Sequence, residues 1–454
     1  MDNKLFLWDA DWLVLDSETI LRDGAVVVDG TTIHEVGPSK ELRAKYKGEK
    51  GIDCSKCIVI PGLTNAHNHV YENLCRGLGK EYSGFEDWLR YLIYPVNRNL
   101  TGEDFYWSAQ LACAEAFKTG TTAIVEQMTN FARFQADHNF QAFLDAGMRG
   151  AVARGASTRS SIDKGEERSA QEDLDAGESF IRNWQSAKLV QPWLGPSGLF
   201  CTDEDTLLKL KKLTLKLSTR YHIHLNETLL QANIAKKQGY QGEVDWGYRI
   251  GLLDESTSVA HAVWANHAEI EILKRTQSPV VHNPSSNQVL ASGVANIPLM
   301  IKAGVPVALG SDGPASNDSM DMIAEMKSCV LLHRVTTLNA DIIFSRDAFK
   351  MATEAGEKVL GKKVGKIRPE FEADITVVNL RNNPCLTPVY DPIDALVYYG
   401  SGRDVKTTIV NGKLVYDDGK FTTMDIEKVI GKVSETAERI KTIISRKKGG
   451  TSHG

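Results

Sequence analysis

Apolar residues in the central part of the chain occur in short runs that alternate with longer segments in which apolar positions recur every three or four residues. The short runs predict buried strands, and the longer segments predict amphipathic helices. Eight strands are predicted, at Ile58–Leu63, Thr121–Gln127, Met148–Gly155, Leu189–Gly195, Tyr221–Leu225, Ser258–Ala262, Pro279–Asn283 and Val305–Ser311. Strands and helices in alternation are typical of a parallel sheet. We therefore predict an α/β fold, a (β/α)8 barrel over residues 61–364, with its chemistry at the carboxyl ends of the strands.

The two ends of the chain have a different pattern, in which short apolar runs are separated by turn signals. Asp29-Gly30 and Asn411-Gly412 are typical hairpin turns. We expect residues 1–60 and 365–422 to form one small β-sandwich. Apolar residues from Ile426 to Ile444 share a helical face, which predicts an amphipathic helix over 423–446 that packs on its own chain or, alternatively, on a second subunit. Ser83 and Glu86 form a predicted capping box, and His453 in the terminal tail is excluded from any site.

Composition excludes several classes of protein. Hydrophobic residues at 42% and charged residues at 24% are ordinary for a globular protein. A formal net charge of -5 gives no basic surface for nucleic acid. No apolar run approaches the roughly 18 residues of a membrane span, and the N-terminus lacks a leader pattern, so we expect a cytoplasmic protein. The seven cysteines are odd in number and scattered, so Cys54-x-x-Cys57 is interpreted as two ordinary thiols.

Ionisable side chains occur where five of the predicted strands end. They are His67 and His69, then His222, His224 and Glu227, then His261, His282 and Asp312. Residues two apart on an extended segment point the same way, so His67 and His69 can face one ion. Any one of these residues alone is better explained by core packing or by a turn. Their common position on the functional face of a barrel makes coincidence a poor explanation.

Three imidazoles and one carboxylate suit zinc and also tolerate ferrous iron. We predict one divalent metal ion, zinc with Fe(II) as the alternative, held by His67, His69, His224 and Asp312. His222 shares a face with His224 and is expected to pack behind the ligands. Glu227, three residues past His224, is expected to move a proton between the attacking water and the substrate. His261 is expected to orient that water, and Asp312 to serve as a second proton acceptor.

These motifs resemble the amidohydrolase superfamily, and within it the group of S-adenosylhomocysteine/methylthioadenosine deaminases, 8-oxoguanine deaminase and the s-triazine hydrolases. The matching segments begin at Pro61, Arg76, Phe85, Gly120, His224, Ala260, His282 and Gly310 and span nearly the whole chain. The resemblance implies the same single-metal ligand set, with Glu227 and His261 as the acid/base pair. It also implies removal of an amino group from a small-molecule purine, pyrimidine or s-triazine, and a homo-oligomer.

Two departures from the family pattern narrow the range of expected substrates and the expected number of metal ions. Adenosine-type deaminases of this group carry Gly-Pro-His after strand four, where this chain has Ser197; this disfavours an S-adenosylhomocysteine or methylthioadenosine substrate. Leu189–Ser197 contains no lysine to bridge two metals, so one ion is expected. The alternatives are an s-triazine hydrolase that releases chloride or an alkylamine and, outside enzymology, a barrel scaffold that has lost activity.

Candidate substrate-binding residues lie in the loops after these strands. They are Trp88, Gln127, Arg154, Ser197, His282, Asn287 and Asn317. For each of them, packing or loop hydrogen bonding is an equally good interpretation.

Overall fold

The computed structural model describes residues 4–80, 82, 84–160 and 163–448. Ser83 and His453 lie outside the described residues. The N-terminal strands are Lys4–Val14 (β1), Ile20–Asp29 (β2), Thr32–Pro38 (β3), Ile52–Asp53 (β4) and Cys57–Pro61 (β5). A bulge at Asp9, which has a φ of 63°, lies within β1, so the two apolar runs on either side of it form one strand.

Within the described residues, eight parallel strands form the barrel, in sequential order around it. They are Leu63–Asn68 (β6), Thr121–Met128 (β7), Arg149–Arg154 (β8), Val190–Leu194 (β9), Tyr221–Leu225 (β10), Thr257–His261 (β11), Val280–His282 (β12) and Val307–Leu309 (β13). The last strand returns to the first, where the Asp312 backbone N–H donates to the His67 carbonyl at 3.1 Å. The predicted barrel is confirmed.

The C-terminal strands are Ile375–Asn379 (β14), Val405–Val410 (β15), Lys413–Asp417 (β16) and Lys420–Phe421 (β17). They join β1–β5 in one mixed sheet, because β14 pairs antiparallel with β5, and β5 pairs parallel with β1. The two ends of the chain therefore build one sheet, as the sequence predicts. Its core on one face includes Val59, Ile375 and Ile409, all fully buried.

The prediction of Ile58–Leu63 as the first barrel strand is wrong. Cys57–Pro61 belongs to the terminal sheet, and the first barrel strand is Leu63–Asn68. Gly62 separates them, and its N–H donates to the Asp374 carbonyl at 2.9 Å. A Cβ at this position would lie 2.2 Å from Thr122 Oγ1, so only glycine fits the turn. His67 consequently lies inside a barrel strand rather than beyond it.

Most of the helices connect the barrel strands or cover them, and the first follows strand β3 of the terminal sheet. They are Ser39–Lys45 (α1), Phe85–Trp88 (α2), Tyr94–Arg98 (α3), Gly102–Lys118 (α4), Ala136–Ala146 (α5), Ala170–Trp184 (α6), Glu204–Lys216 (α7), Leu229–Lys237 (α8), Glu243–Arg249 (α9), His267–Thr276 (α10), Pro284–Val289 (α11), Ile297–Ala303 (α12), Pro314–Asn317 (α13), Met322–Thr337 (α14), Ser345–Ala352 (α15), Ala355–Leu360 (α16), Pro392–Asp394 (α17) and Ile426–Lys448 (α18). None of the described helices is long and apolar enough to cross a bilayer.

The C-terminal helix α18 packs on its own chain. Thr436 Oγ1 donates to Asp104 Oδ1 of α4 at 2.6 Å, and Arg439 pairs with the other oxygen at 2.5 Å. Ile440 is buried in the same contact. The seven cysteines all lie in described residues and are free thiols, as expected.

Candidate metal centre

Four side chains from distant parts of the sequence converge at the carboxyl end of the barrel. Asp312 Oδ1 lies 3.4 Å from His67 Nε2 and 3.6 Å from His69 Nε2. Donor atoms of His67 and His224 also lie within 4.8 Å of each other. Two ligand atoms that share a tetrahedral ion at about 2.1 Å are about 3.4 Å apart. The spacing therefore fits one small divalent cation.

Backbone carbonyls fix the tautomers of two of these histidines. His69 Nδ1 donates to the Gln127 carbonyl at 2.6 Å, and His224 Nδ1 donates to the Ser197 carbonyl at 2.7 Å. A proton on Nδ1 leaves the lone pair of Nε2 free to bind a metal. Both rings therefore present an unprotonated nitrogen to the common point.

His67 is oriented by a chain of side chains. Its Nδ1 lies 2.8 Å from His222 Nε2, and His222 Nδ1 lies 2.6 Å from Ser258 Oγ. His67 Nε2 is buried and has no hydrogen-bond partner among the described residues, which is the state expected of a ligand atom without its ion. His222 packs behind the ligands, as the sequence predicts.

Asp312 would supply the negative charge of the candidate ligand set. Ser286 Oγ donates to its Oδ2 at 2.6 Å, and the Gly313 N–H donates to its Oδ1 at 2.8 Å. Burial alone raises the pKa of Asp312, but the adjacent His67 and the other imidazoles lower that pKa well below its usual value. Its backbone has a φ of 60°, an uncommon conformation that directs the carboxylate toward the histidines.

Glu227 and His261 lie beside the ligands. His261 Nε2 is 4.0 Å from Glu227 Oε1 and 3.8 Å from Asp312 Oδ2. Burial, and then the charges of Asp312 and Glu243, raise the pKa of Glu227 well above its usual value. A carboxyl group with a raised pKa is suited to take up and return a proton.

The His261 ring is held by two amides. Asn287 Nδ2 and Asn283 Nδ2 donate to its Nδ1 at 3.0 and 3.3 Å. The ring proton therefore lies on Nε2, which faces Asp312 and Glu227. Burial lowers the pKa of His261 to about 3, so the ring is neutral and acts as a hydrogen-bond donor rather than a cation.

Glu227 follows Asn226, which is held by hydrogen bonds from both its backbone and its side chain. Asn226 has a φ of 54°; its backbone N–H donates to Glu243 Oε2 at 2.6 Å, and its side-chain oxygen accepts from the Glu243 N–H at 2.7 Å. Asn226 Nδ2 donates to Glu269 Oε1 at 3.0 Å. These bonds fix the backbone from which Glu227 projects.

The ligands open into a cavity with apolar walls. Those walls include Phe85, Trp88, Leu89, Phe200 and Leu290. Beyond it lies a vestibule of about 960 Å³, bordered by α8 and also by Trp264. The inner cavity has a volume of about 30 Å³, whereas the vestibule has room for an aromatic heterocycle between apolar walls.

Of the predicted substrate-binding residues, Trp88 and Ser197 border this cavity. Gln127 instead donates to the Gly195 and Pro196 carbonyls, each at 3.1 Å. Its role is to connect strand ends.

Four other predicted substrate-binding residues are directed into the protein. Arg154 pairs with Asp173 at 3.5 Å, and His282 Nε2 lies 3.2 Å from His333 Nε2. Asn317 donates to the Ser311 carbonyl and to Glu325, and Asn287 holds His261. These four residues and Gln127 are not among the described residues that border the cavity. Their polar groups are used by the barrel itself.

Sequence reasoning missed Glu72, Thr129, Asn130 and Phe200, all of which border the cavity. Glu72 was detectable, because it follows His69 by three residues in the same strand-end segment. The others lie in loops, where the local sequence pattern does not indicate which way a side chain points.

Comparison with known proteins agrees with this geometry. Residues 58–415 match the amidohydrolase family, and residues 24–46 match a bacterial imidazolonepropionase-like composite domain. The chain belongs to the amidohydrolase family. It is therefore a hydrolase, as the motifs predict.

Curated relatives align over almost the full chain. A 5'-deoxyadenosine deaminase of Methanosarcina acetivorans is 35% identical over 422 residues, which cover 92% of this chain and 94% of the relative. A 5-methylthioadenosine/S-adenosylhomocysteine deaminase of Nitratidesulfovibrio vulgaris is 34% identical over 412 residues, 90% of each chain.

Solved structures share the fold. An adenosine deaminase from Xanthomonas campestris with bound zinc superposes with a TM-score of 0.90 at 24% identity, over 96% of this chain and 98% of the other. The zinc complex of atrazine chlorohydrolase from Arthrobacter aurescens TC1 has a TM-score of 0.88 at 22% identity, over 95% and 100%.

Proposed function

We propose that this amidohydrolase is a mononuclear aminohydrolase that removes an amino group from a nitrogen heterocycle and releases ammonia. The observation that supports the proposal is that His67 belongs to two groups of donor atoms within 4.8 Å of one another, one with His69 and Asp312 and the other with His224 and His261. Glu227 Oε1 lies 4.0 Å from His261 Nε2. A divalent ion held there would lower the pKa of a water molecule toward neutrality and so supply a nucleophile.

The surrounding side chains perform the proton transfers. Glu227 accepts a proton from the attacking water at its carboxylate and delivers it to the ring nitrogen or to the departing amino group. The Nε2–H of His261 donates a hydrogen bond to the oxygen that attacks, which stabilises the charge that develops there. Asp312, the second acceptor on this side, lies 3.8 Å from that nitrogen.

Zinc is the proposed ion, with Fe(II) as the alternative, because the donor set is three nitrogens and one carboxylate oxygen. Emission analysis of protein purified without added metal tests this assignment. We expect about one equivalent of a single divalent metal per chain.

The identity of the relatives supports an adenosine-type nucleoside as one substrate candidate, since two deaminases of such compounds exceed 30% identity over most of the chain. Ser197, at the cavity wall in place of the histidine expected for that group, supports a smaller base or a triazine instead. Both candidates require the same chemistry and differ in what occupies the vestibule.

The test is product release from a panel of heterocycles by the metal-loaded enzyme. The panel contains 5'-deoxyadenosine, S-adenosylhomocysteine, guanine, cytosine, melamine and a chlorinated s-triazine. Ammonia from any of the amino compounds supports the proposal, and chloride or alkylamine release alone supports the triazine hydrolase alternative. Tight metal binding without turnover of any ring would instead indicate a scaffold.

A further inference from the structure

Three metal-binding side chains outside the candidate metal centre also lie together. Donor atoms of His282, Cys329 and His333 are all within 4.8 Å of one another. His282 and Cys329 are fully buried, and 1% of His333 is exposed. No step of the proposed reaction uses any of the three. Buried polar side chains need partners, so this cluster requires its own explanation.

The backbone directs the three side chains into the space between strand β12 and helix α14. Val281 packs in the barrel interior with Ala308, and successive residues of a strand point to opposite faces. His282 therefore points outward, away from the barrel interior. Cys329 and His333 are four residues apart in α14 and are both buried, so they share one face of that helix. The cluster thus joins a barrel strand to a helix that covers it.

The two imidazoles of the cluster face each other. His333 Nε2 lies 3.2 Å from His282 Nε2, and two nitrogens that share an ion at about 2.0 Å are about 3.4 Å apart. His282 Nδ1 has no hydrogen-bond partner among the described residues, so no further bond fixes the tautomer of this ring. A cation between the rings can therefore replace the single proton that they would otherwise share.

The donor atoms of the cluster select a soft cation. Thiolate sulfur together with imidazole nitrogen favours Cu(I) or zinc over magnesium or calcium. The cluster formed by the described residues supplies three donors, whereas zinc in a structural site almost always has four. Cu(I) accepts three ligands, and one thiolate balances its single charge. The filled site is then neutral, which lowers the cost of burying it.

Two methionines extend the same face of α14. Positions 322, 326, 329 and 333 follow one another at intervals of four, three and four residues, and Met322 and Met326 are fully buried. This spacing places Met326 one helical turn before Cys329 on the buried face. A thioether is a further soft donor, so the surroundings of the cluster favour the same ion.

We propose that His282, Cys329 and His333 form a second metal site, which binds one Cu(I) ion between β12 and α14. When the ion binds, the Cys329 thiol releases one proton to solvent and binds as the thiolate; the oxidation state of copper does not change. Asn283, the next residue after His282, donates to His261 Nδ1 at 3.3 Å. The bound ion would therefore hold the strand end from which this amide reaches the candidate metal centre.

The test measures Cu(I) binding by the zinc-loaded full-length protein in a Cys385→Ser background, which removes the exposed thiol. The protein is equilibrated without oxygen against Cu(I) buffered by bicinchoninate, and a second sample is purified from cells grown with added copper. Emission analysis after gel filtration counts both metals. We expect about one Cu(I) per chain with zinc retained, and a thiolate-to-copper absorption band in the ultraviolet.

Two ligand variants and two controls locate the ion. Cys329→Ser and His333→Gln should each lower the affinity for Cu(I) by about 100-fold or more, and Cys329→Ser should also lose the absorption band. Cys113→Ser removes another buried thiol and should keep full affinity. His67→Ala should lose zinc from the candidate metal centre and still bind Cu(I), because the two sites share no ligand.

The unfolding temperature gives a readout that is independent of metal counting. Bound Cu(I) should raise it by about 2 °C or more in the wild type and in Cys113→Ser, and should leave it unchanged in Cys329→Ser. If Cys329→Ser fails to fold, His333→Gln serves in its place.

Three results would overturn the inference. The first is no uptake of Cu(I) in either sample, or equal uptake by the wild type and both ligand variants. The second is Cu(I) bound only in exchange for zinc, which would place it at the candidate metal centre. The third is two zinc ions per chain that fall to one in Cys329→Ser, with no Cu(I) bound. None of these measurements uses ammonia release, so the proposed function is tested separately.

Discussion

Residues with a positive φ occur both at the mouth of the barrel and in the terminal sheet, but they are buried at the mouth and exposed in the sheet. At the mouth, Asn226, His261, Ala262 and Asp312 all have positive φ and are buried. In the terminal sheet, Asp23 is exposed within strand β2 and Asp418 is exposed in a turn, and aspartate adopts this conformation at little cost.

The difference shows which part of the fold contains energetically unfavourable backbone conformations. A left-handed conformation costs about 1–2 kcal/mol for a residue such as histidine or alanine, and His261 and Ala262 adopt it in succession. In the sheet, residues such as Val59 and Ile375 pair between strands and are buried without adopting a left-handed conformation. We therefore expect substitutions at the mouth to impair activity more than folding, and substitutions at the sheet to do the reverse.

His67→Ala should have the largest effect on activity. Removing one nitrogen from a four-ligand site should reduce bound metal to below about one tenth of an equivalent and abolish measurable turnover. Emission analysis after gel filtration measures the metal directly. The exposed His138→Ala serves as the control and should keep its metal; a full equivalent in His67→Ala would remove this histidine from the ligand set.

Glu227→Gln should lower turnover by about 100-fold or more, because the amide cannot carry the proton between water and substrate. Metal content and unfolding temperature should remain those of the wild type. The same substitution at exposed Glu271 is the control. A Glu227→Gln enzyme with an unchanged rate would show that another group moves the proton.

Glu243→Met should lower kcat by about 10-fold with little change in bound metal, because the Asn226 N–H loses the acceptor that holds the backbone before Glu227. Steady-state kinetics beside metal analysis separates this effect from ligand loss. Asp245→Asn changes a nearby acid of the same helix and should have no comparable effect. Equal loss in both variants would assign the effect to α9 as a whole.

Arg149→Met should have the smallest effect on activity and a large one on stability. Arg149 joins barrel strand β8 to the terminal sheet, with its Nε 2.6 Å from Asp374 Oδ2. The substitution leaves a buried carboxylate unpaired and should lower the free energy of unfolding by about 3 kcal/mol, with kcat within about 2-fold of wild type.

Chemical denaturation measures the Arg149 effect, and Arg182→Met, which removes an exposed ion pair with Glu178, should change stability by less than about 0.5 kcal/mol. If Arg149→Met lost activity without losing stability, it would contradict the expectation that substitutions at the terminal sheet impair folding more than activity.

Local pattern was sufficient where the relevant interactions are local. The strand Tyr221–Leu225 has the bounds that the sequence predicts, because alternation within five residues shows which side chains share a face. The candidate ligand residues were likewise selected by type and by their position at strand ends. Neither step requires knowledge of which segments are neighbours in space.

The sequence could not show where a polar side chain points or which group it bonds. Gln127 and Arg154 have the side chains expected of a substrate site, but each finds its partner in the protein, Gln127 at Gly195 and Arg154 at Asp173. Gly195 follows strand β9, two strands after that of Gln127, and Asp173 lies in α6, the helix after β8. A polar side chain bonds to whichever partner the packed fold brings within reach.

The sequence by itself determined the repeating βα order, the sheet built from both chain ends and the set of residues able to bind a metal. Tertiary structure alone decided that Cys57–Pro61 leaves the barrel, which nitrogen of His69 and of His224 faces the common point, and that Glu72 borders the cavity. The physical reason is distance along the chain: His67 and Asp312 approach to 3.4 Å only after the last strand closes on the first.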